Sequence, residues 1–166
     1  MRRMDEFAAR LPWPDIRGRR CLHVGASDGS LAGALERRGA GAVERLDPSV
    51  ETSGLDRFGR FEVVVAGGLV SRLRDPVRAL TALRSACDGW LLSAEEIDVR
   101  LSLLHPRRPV ARLGDPELGE WWRPNAAGHR AMLETAGFAV ERGRGPYALR
   151  AAGVPHQALL ARPEPV

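Results

Sequence analysis

The sequence predicts an α/β sandwich with a mostly parallel sheet, on three observations. Short apolar runs alternate with amphipathic helical stretches, each run stops at glycine or at Asp-Pro, and two further runs close the chain with only turns between them. A length of 166 residues suits one domain, 1–166, with 1–19 as an N-terminal helix and lead-in and 163–166 as a frayed tail.

Each element follows from its local pattern. Met4, Phe7, Ala8 and Leu11 share one face of a short helix that ends at Pro12-Trp13-Pro14. The charged turn Arg17-Gly18-Arg19-Arg20 leads into Cys21–Val24, a buried strand stopped by Gly25. Leu31, Ala34 and Leu35 mark a helix from Ser30 that Gly39 caps. Ala42–Leu46 is a second strand ending at Asp47-Pro48, and the polar stretch 49–60 has no periodicity. Phe61–Ala66, rich in β-branched residues, is a strand halted by Gly67-Gly68. Asp75-Pro76 opens a helix with Val77, Leu80, Leu83 and Cys87 on its buried face, and Trp90–Ala94 is another buried strand. Pro106, Pro109 and Pro116 break 97–123 into loop or short helix. Pro124-Asn125 starts a helix carrying Met132 and Leu133, and Gly137 ends it. Phe138–Glu141 and His156–Ala161 are the closing strand pair.

Composition excludes several classes. With 28% charged and 44% hydrophobic residues the chain is neither collagen-like, coiled-coil nor disordered. All 25 basic residues are Arg against 21 acids, giving a net charge of +4 and a pI near 10.3. The arginines are scattered, which fits coding bias better than a dedicated nucleic-acid surface, although RNA stays open as a partner. Cys21 and Cys87 read as buried reduced thiols. No apolar stretch reaches the ~20 residues needed to span a bilayer, so no membrane partner is expected. The N-terminus lacks a signal-peptide core, so a cytoplasmic location is expected.

The chemistry gathers at the first strand–turn–helix, His23-Val24-Gly25-Ala26-Ser27-Asp28-Gly29. A glycine loop there lets backbone N–H groups approach a ligand at the strand's carboxyl end. Two glycines do not make the Gly-x-Gly-x-x-Gly pyrophosphate loop, and a chain without lysine has no P-loop. Asp47, about 20 residues further on at the end of the next strand, stands where a carboxylate accepts hydrogen bonds from ribose hydroxyls.

These segments, with Leu11–Asp15, Gly18–Gly29 and Leu35–Ala40, resemble the opening of class I S-adenosylmethionine-dependent methyltransferases. Within them the chain is similar to the branch of tRNA wobble-uridine (oxyacetate-type) enzymes. Gly59–Val64 leading to Leu73-Arg74-Asp75-Pro76, then Trp121–Asn125, then Met132–Phe138, agree in order and spacing, so that the likeness covers about 11–162. The resemblance implies a Rossmann-like methyltransferase sandwich with a terminal antiparallel hairpin and S-adenosylmethionine as cofactor. It implies that Gly25, Ala26, Ser27, Asp28 and Gly29 line the methionine end of that cofactor, that Asp47 holds the ribose, and that Gly67, Gly68 and Leu69 border the transferring methyl.

The chain departs from that pattern in three places. His23 stands where relatives carry an acid for the cofactor's ammonium; a neutral imidazole still orients the loop but does not pair that charge. Ser71-Arg72 stands where relatives carry Tyr-His. Only 13 residues, Pro48 to Arg60, separate Asp47 from the strand at Phe61. That is too few for a helix of ~11 residues, a strand of ~5 and turns, so the third strand and its helix are expected to be missing. The adenine wall then falls to residues such as Asp56 or Arg57. The strand before Asp47 becomes a bare edge, to be covered by 1–14 or paired with a second subunit as a homodimer.

Glu95-Glu96 and Asp98 sit at the carboxyl end of a strand, and Glu95 or His105 is the candidate catalytic base. His129 reads as a solvated helix position and Trp121-Trp122 as a lid over the sheet end. No metal site and no nucleophile elbow is present. The function expected is a methyltransferase aligning an unidentified acceptor, a small molecule by preference, with the sulfonium. The alternatives are a degenerate methyltransferase fold that binds or assembles without methylating, and a tRNA-modifying enzyme.

Overall fold

The computed structural model describes residues 2–25, 30–47 and 55–165. The chain runs α1 (Arg2–Arg10), β1 (Arg20–Gly25), α2 (Ser30–Arg37), β2 (Ala42–Leu46) and, after a 3₁₀ turn at Leu55–Phe58, β3 (Phe61–Gly67). There follow α3 (Leu69–Arg72), α4 (Pro76–Ala86), β4 (Cys87–Glu96), α5 (Val99–Leu104), β5 (Ala111–Leu113) and β6 (Trp122–Pro124). The remainder is α6 (Ala126–Thr135), β7 (Phe138–Arg144), β8 (Arg150–Ala151) and β9 (Val154–Pro163).

One sheet, in the order β2-β1-β3-β4-β9-β7, organises the molecule. The first four strands are mutually parallel; β9 is antiparallel to both β4 and β7, and β8 adds to β9. The mostly parallel sheet with a closing hairpin is as the sequence predicts. Strands β1, β3 and β4 are apolar on successive residues because both faces are covered. Leu22, Val24, Val64 and Leu91 pack with Leu80, Leu83 and Leu133 beneath α4 and α6. Cys21, Val63, Val65 and Leu92 pack with Phe7, Leu11, Leu31 and Leu35 beneath α1 and α2. Strand β2, half-exposed, is an edge among the described residues.

Four expectations are corrected. Cys87 is not on a helical face: α4 ends at Ala86 and Cys87 opens β4 with extended backbone (φ −103, ψ 120). Segment 97–123 holds a helical turn, α5, and a separate hairpin, β5–β6, whose three-residue strands are too short for periodicity to reveal. The tail from Pro163 is not wholly frayed, since Pro163 lies in β9 and the Glu164 N–H bonds Gly137 O at 2.9 Å. His129 is not solvated but fully buried. Its Nδ1–H donates to Gln157 Oε1 at 3.0 Å, and Ser93 Oγ–H donates to its Nε2 at 2.9 Å. The ring thus ties α6 to β4 and β9, and burial pushes its pKa down to about 4.

Both cysteines are buried thiols whose pKa burial raises, to about 11 for Cys21 and about 12 for Cys87. Among the described residues no helix is long and apolar enough to cross a membrane.

Candidate functional site

Parallel strands in register bring their carboxyl ends to one line. Gly25 pairs with Gly67, Gly67 with Ala94, and Val24 with Leu46, so Asp47 follows at the level of Gly25. The two glycines face each other because nothing larger fits. A Cβ on Gly25 would lie 2.8 Å from Gly67 O and 3.1 Å from His23 Nε2, and one on Gly67 would lie 2.8 Å from Leu31 Cδ1. The end of the sheet is therefore bare backbone, with the buried His23 imidazole over Gly25. Gly68 has φ +66, the left-handed turn that leads the chain out of β3 into α3, and its N–H bonds Ala94 O at 3.0 Å.

Above this floor, on the α1/α2 side, lies a cavity of about 190 Å³. Its polar walls are His23, Ser30, Ser71, Arg72, Glu96 and His156, and Phe7 and Leu31 close it on the apolar side. The described walls enclose less than the ~300–1,000 Å³ common for ligand sites. Ala26, Ser27, Asp28 and Gly29, the rest of the expected loop, lie outside the described residues, as does the side chain of Asp56. Arg57 is exposed on the 3₁₀ turn.

The expected bases are placed differently. Glu95 is fully buried, and both of its oxygens are occupied: Leu69 N–H donates to Oε1 at 2.9 Å and Val70 N–H to Oε2 at 3.1 Å. Burial pushes its carboxyl up to about 8, against the pull of those two amides. Glu95 thus holds the first turn of α3 and, through it, the Gly67-Gly68 wall; no oxygen is left over to meet an acceptor. His105 terminates α5, its carbonyl accepting from Asn125 Nδ2 at 2.8 Å, and does not line the cavity. Leu69 turns into the core beneath α4, so only Gly67 and Gly68 of that trio face the cavity.

The wall also holds Glu96, His156 and Arg72, with Ser30 and Ser71 beside them, none of which the sequence assigns as catalytic or cofactor-binding. Glu96 alternates with Glu95 along β4, so it faces the cavity, where Arg123 Nη2 holds it at 2.6 Å. His156 is its cross-strand partner on β9. The His156 Nδ1–H donates to Val154 O at 2.9 Å, which leaves Nε2 as the acceptor nitrogen, and the ring packs edge-on to Phe7 at 5.2 Å. Burial lowers its pKa, against the opposing influence of the Val154 bond and Glu96. Arg72 ends α3 beside Gly68. Glu96 stands in the sequence among the strand-end acids, and the alternation of β4 is what separates it from Glu95; Arg72 shows in the sequence only as a departure from the family's Tyr-His.

The tryptophans belong to a strap that fixes this wall. Trp121 N–H donates to Ser71 O at 2.6 Å, Trp122 Nε1–H to Arg74 O at 2.9 Å, and Arg74 stacks over the Trp121 ring at 4.9 Å. Among the described residues no group of three or more His, Cys, Asp or Glu is placed to hold a metal.

Solved structures share this fold. An S-adenosylmethionine-dependent methyltransferase from Mesorhizobium loti is similar over 95% of this chain and 95% of its own, at TM-score 0.64 and 17% identity. The Burkholderia thailandensis 1,6-didemethyltoxoflavin-N1-methyltransferase, crystallised with 1,6-didemethyltoxoflavin and S-adenosylhomocysteine, matches 98% of this chain and 79% of its own, at TM-score 0.72 and 14% identity. The magnesium protoporphyrin IX methyltransferase of Synechocystis, with bound S-adenosylhomocysteine, matches 98% and 83%, at 0.65 and 15%. No protein-family model matches the chain, and no curated protein matches it. What these comparisons establish is the fold, that of the class I methyltransferases.

Proposed function

We propose that the protein is an S-adenosylmethionine-dependent methyltransferase acting on a small-molecule acceptor. One observation carries the reading: in a methyltransferase fold, a cavity lined by His23 of β1 and by Gly67 and Gly68 opens at the carboxyl ends of β1 and β3, with Gly25 and Asp47 at the same level of the sheet but outside its lining. The floor fits the group, because Gly25 and Gly67 leave backbone bare for close approach. His23, Gly25 to Gly29, Gly67 and Gly68 would hold the methionine end and Asp47 the ribose. Bound there, the cofactor supplies an electrophilic methyl on a sulfonium.

The chain's own contribution is placement. Glu95 and the tryptophan strap fix α3, Phe7 and Leu31 exclude water, and His156 offers Nε2 to a proton on an acceptor's oxygen or nitrogen. Incubation with methyl-labelled S-adenosylmethionine and fractionated small-molecule extract should transfer label in a manner abolished by Gly25→Val. Label appearing only on RNA would favour the tRNA-modifying alternative, which rests on the resemblance and the basic pI.

The edge position of β2 favours a second reading, a degenerate fold that binds without methylating. The 13 residues between Asp47 and Phe61 leave no length for the family's third strand and helix, so the adenine wall is reduced. The open edge would then accept a second copy by strand pairing. Binding of S-adenosylhomocysteine without transfer to any acceptor class, together with a dimer in light scattering, is the outcome this reading requires.

A further inference from the structure

Among the described wall residues two carry a formal charge, Glu96 and Arg72. Glu96 is the carboxylate among the described wall residues, and Arg123 Nη2 engages it at 2.6 Å. The residue over Gly25 is an imidazole, His23, which supplies no fixed negative charge. Facing them is Arg72, a permanent cation with a planar fork of donors that matches a carboxylate.

The backbone that carries Arg72 is fixed from two sides. Glu95 takes the N–H groups of Leu69 and Val70, and Trp121 N–H takes Ser71 O. The Arg72 Nε lies 4.0 Å from where a Cβ on Gly68 would stand, so the guanidinium side of the residue runs along the cavity rim. Because Glu95 occupies the two amides of this turn, an anion here meets the Arg72 side chain and no free backbone N–H of Leu69 or Val70.

From this we infer that Arg72 is a specificity determinant: the cavity grips the amino-acid end of its ligand by the carboxylate, through Arg72, and not by the ammonium. The inference rests on the proposed cofactor reading and names which end of that ligand is recognised.

Three probes separate the two ideas in calorimetric titrations of the whole chain: S-adenosylhomocysteine, its decarboxylated analogue (the thiopropylamine) and its deaminated analogue (the thiobutyrate). The expected result is that S-adenosylhomocysteine and the deaminated analogue bind within about threefold of each other, while the decarboxylated analogue is weaker by about tenfold or more. Arg72→Gln should close that gap by weakening only the two carboxylate ligands, and Arg72→Lys should restore part of it. Raised salt should narrow the gap, since the residue is exposed. If the deaminated analogue is the weaker one, if the three bind alike, or if Arg72→Gln preserves the gap, the inference is overturned while the cofactor reading stands. If S-adenosylhomocysteine itself fails to bind, the cofactor reading falls and the inference with it.

Discussion

Protonation of His129 offers a quantitative test of how α6 is fastened to the sheet. In the native state the ring is fully buried, with Nδ1–H given to Gln157 and Nε2 accepting from Ser93, and its pKa falls from 6.5 to about 4. The unfolded chain binds a proton at this residue below pH 6.5, whereas the native state refuses it until about pH 4. A depressed native pKa means that the stability is present above 6.5 and is lost as pH falls towards 4. The gap of about 2.5 pH units, at about 1.4 kcal/mol each, corresponds to roughly 3–4 kcal/mol. Urea unfolding across this range, for the parent chain and for His129→Gln, isolates the effect, because the difference curve cancels every group the two proteins share. The parent should lose about 3–4 kcal/mol relative to the variant. Parallel pH dependence in the two proteins would refute the buried, neutral assignment.

Further outcomes follow from other particular residues. Glu95, pushed up to about 8, has the opposite sign: its contribution is full below 4.5 and is lost as pH rises through 8. Urea titrations should therefore show Glu95→Gln flattening the decline in stability between pH 4.5 and about 8; an unchanged slope would count against it. Glu95→Ala, which leaves the Leu69 and Val70 amides buried without their acceptor, should cost about 1–3 kcal/mol in urea unfolding. Gly25→Val should cost about 1–3 kcal/mol in the same assay, because its side chain meets Gly67 O and His23. Cys21 and Cys87 should resist a thiol reagent near neutral pH until urea unfolds the chain, and rapid labelling of the native protein would contradict their burial.

The strands that build the cavity floor were legible because their physics is local. Cys21–Val24 and Phe61–Ala66 are apolar runs broken only by His23 and the exposed Glu62 and stopped by glycine, the pattern of strands covered on both faces. The four-residue α3 and the three-residue β5 and β6 were not legible, since elements that short show no period and are held by tertiary bonds such as Trp121 N–H to Ser71 O. The burial of His129 has a sequence correlate in its spacing: it lies four residues before Leu133, on the same helical face, which faces the sheet. Glu95 shows the opposite limit. Its identity suggested acid–base chemistry, but strand alternation turned it away from the cavity towards two backbone amides and left Glu96 facing in.

The central claim is that the glycine-floored end of β1 and β3 binds the cofactor, and calorimetric titration with S-adenosylhomocysteine tests it most directly. The account predicts saturable one-to-one binding that Gly25→Val abolishes while the chain remains folded. Absence of heat at millimolar ligand, or binding indifferent to Gly25→Val, would contradict it.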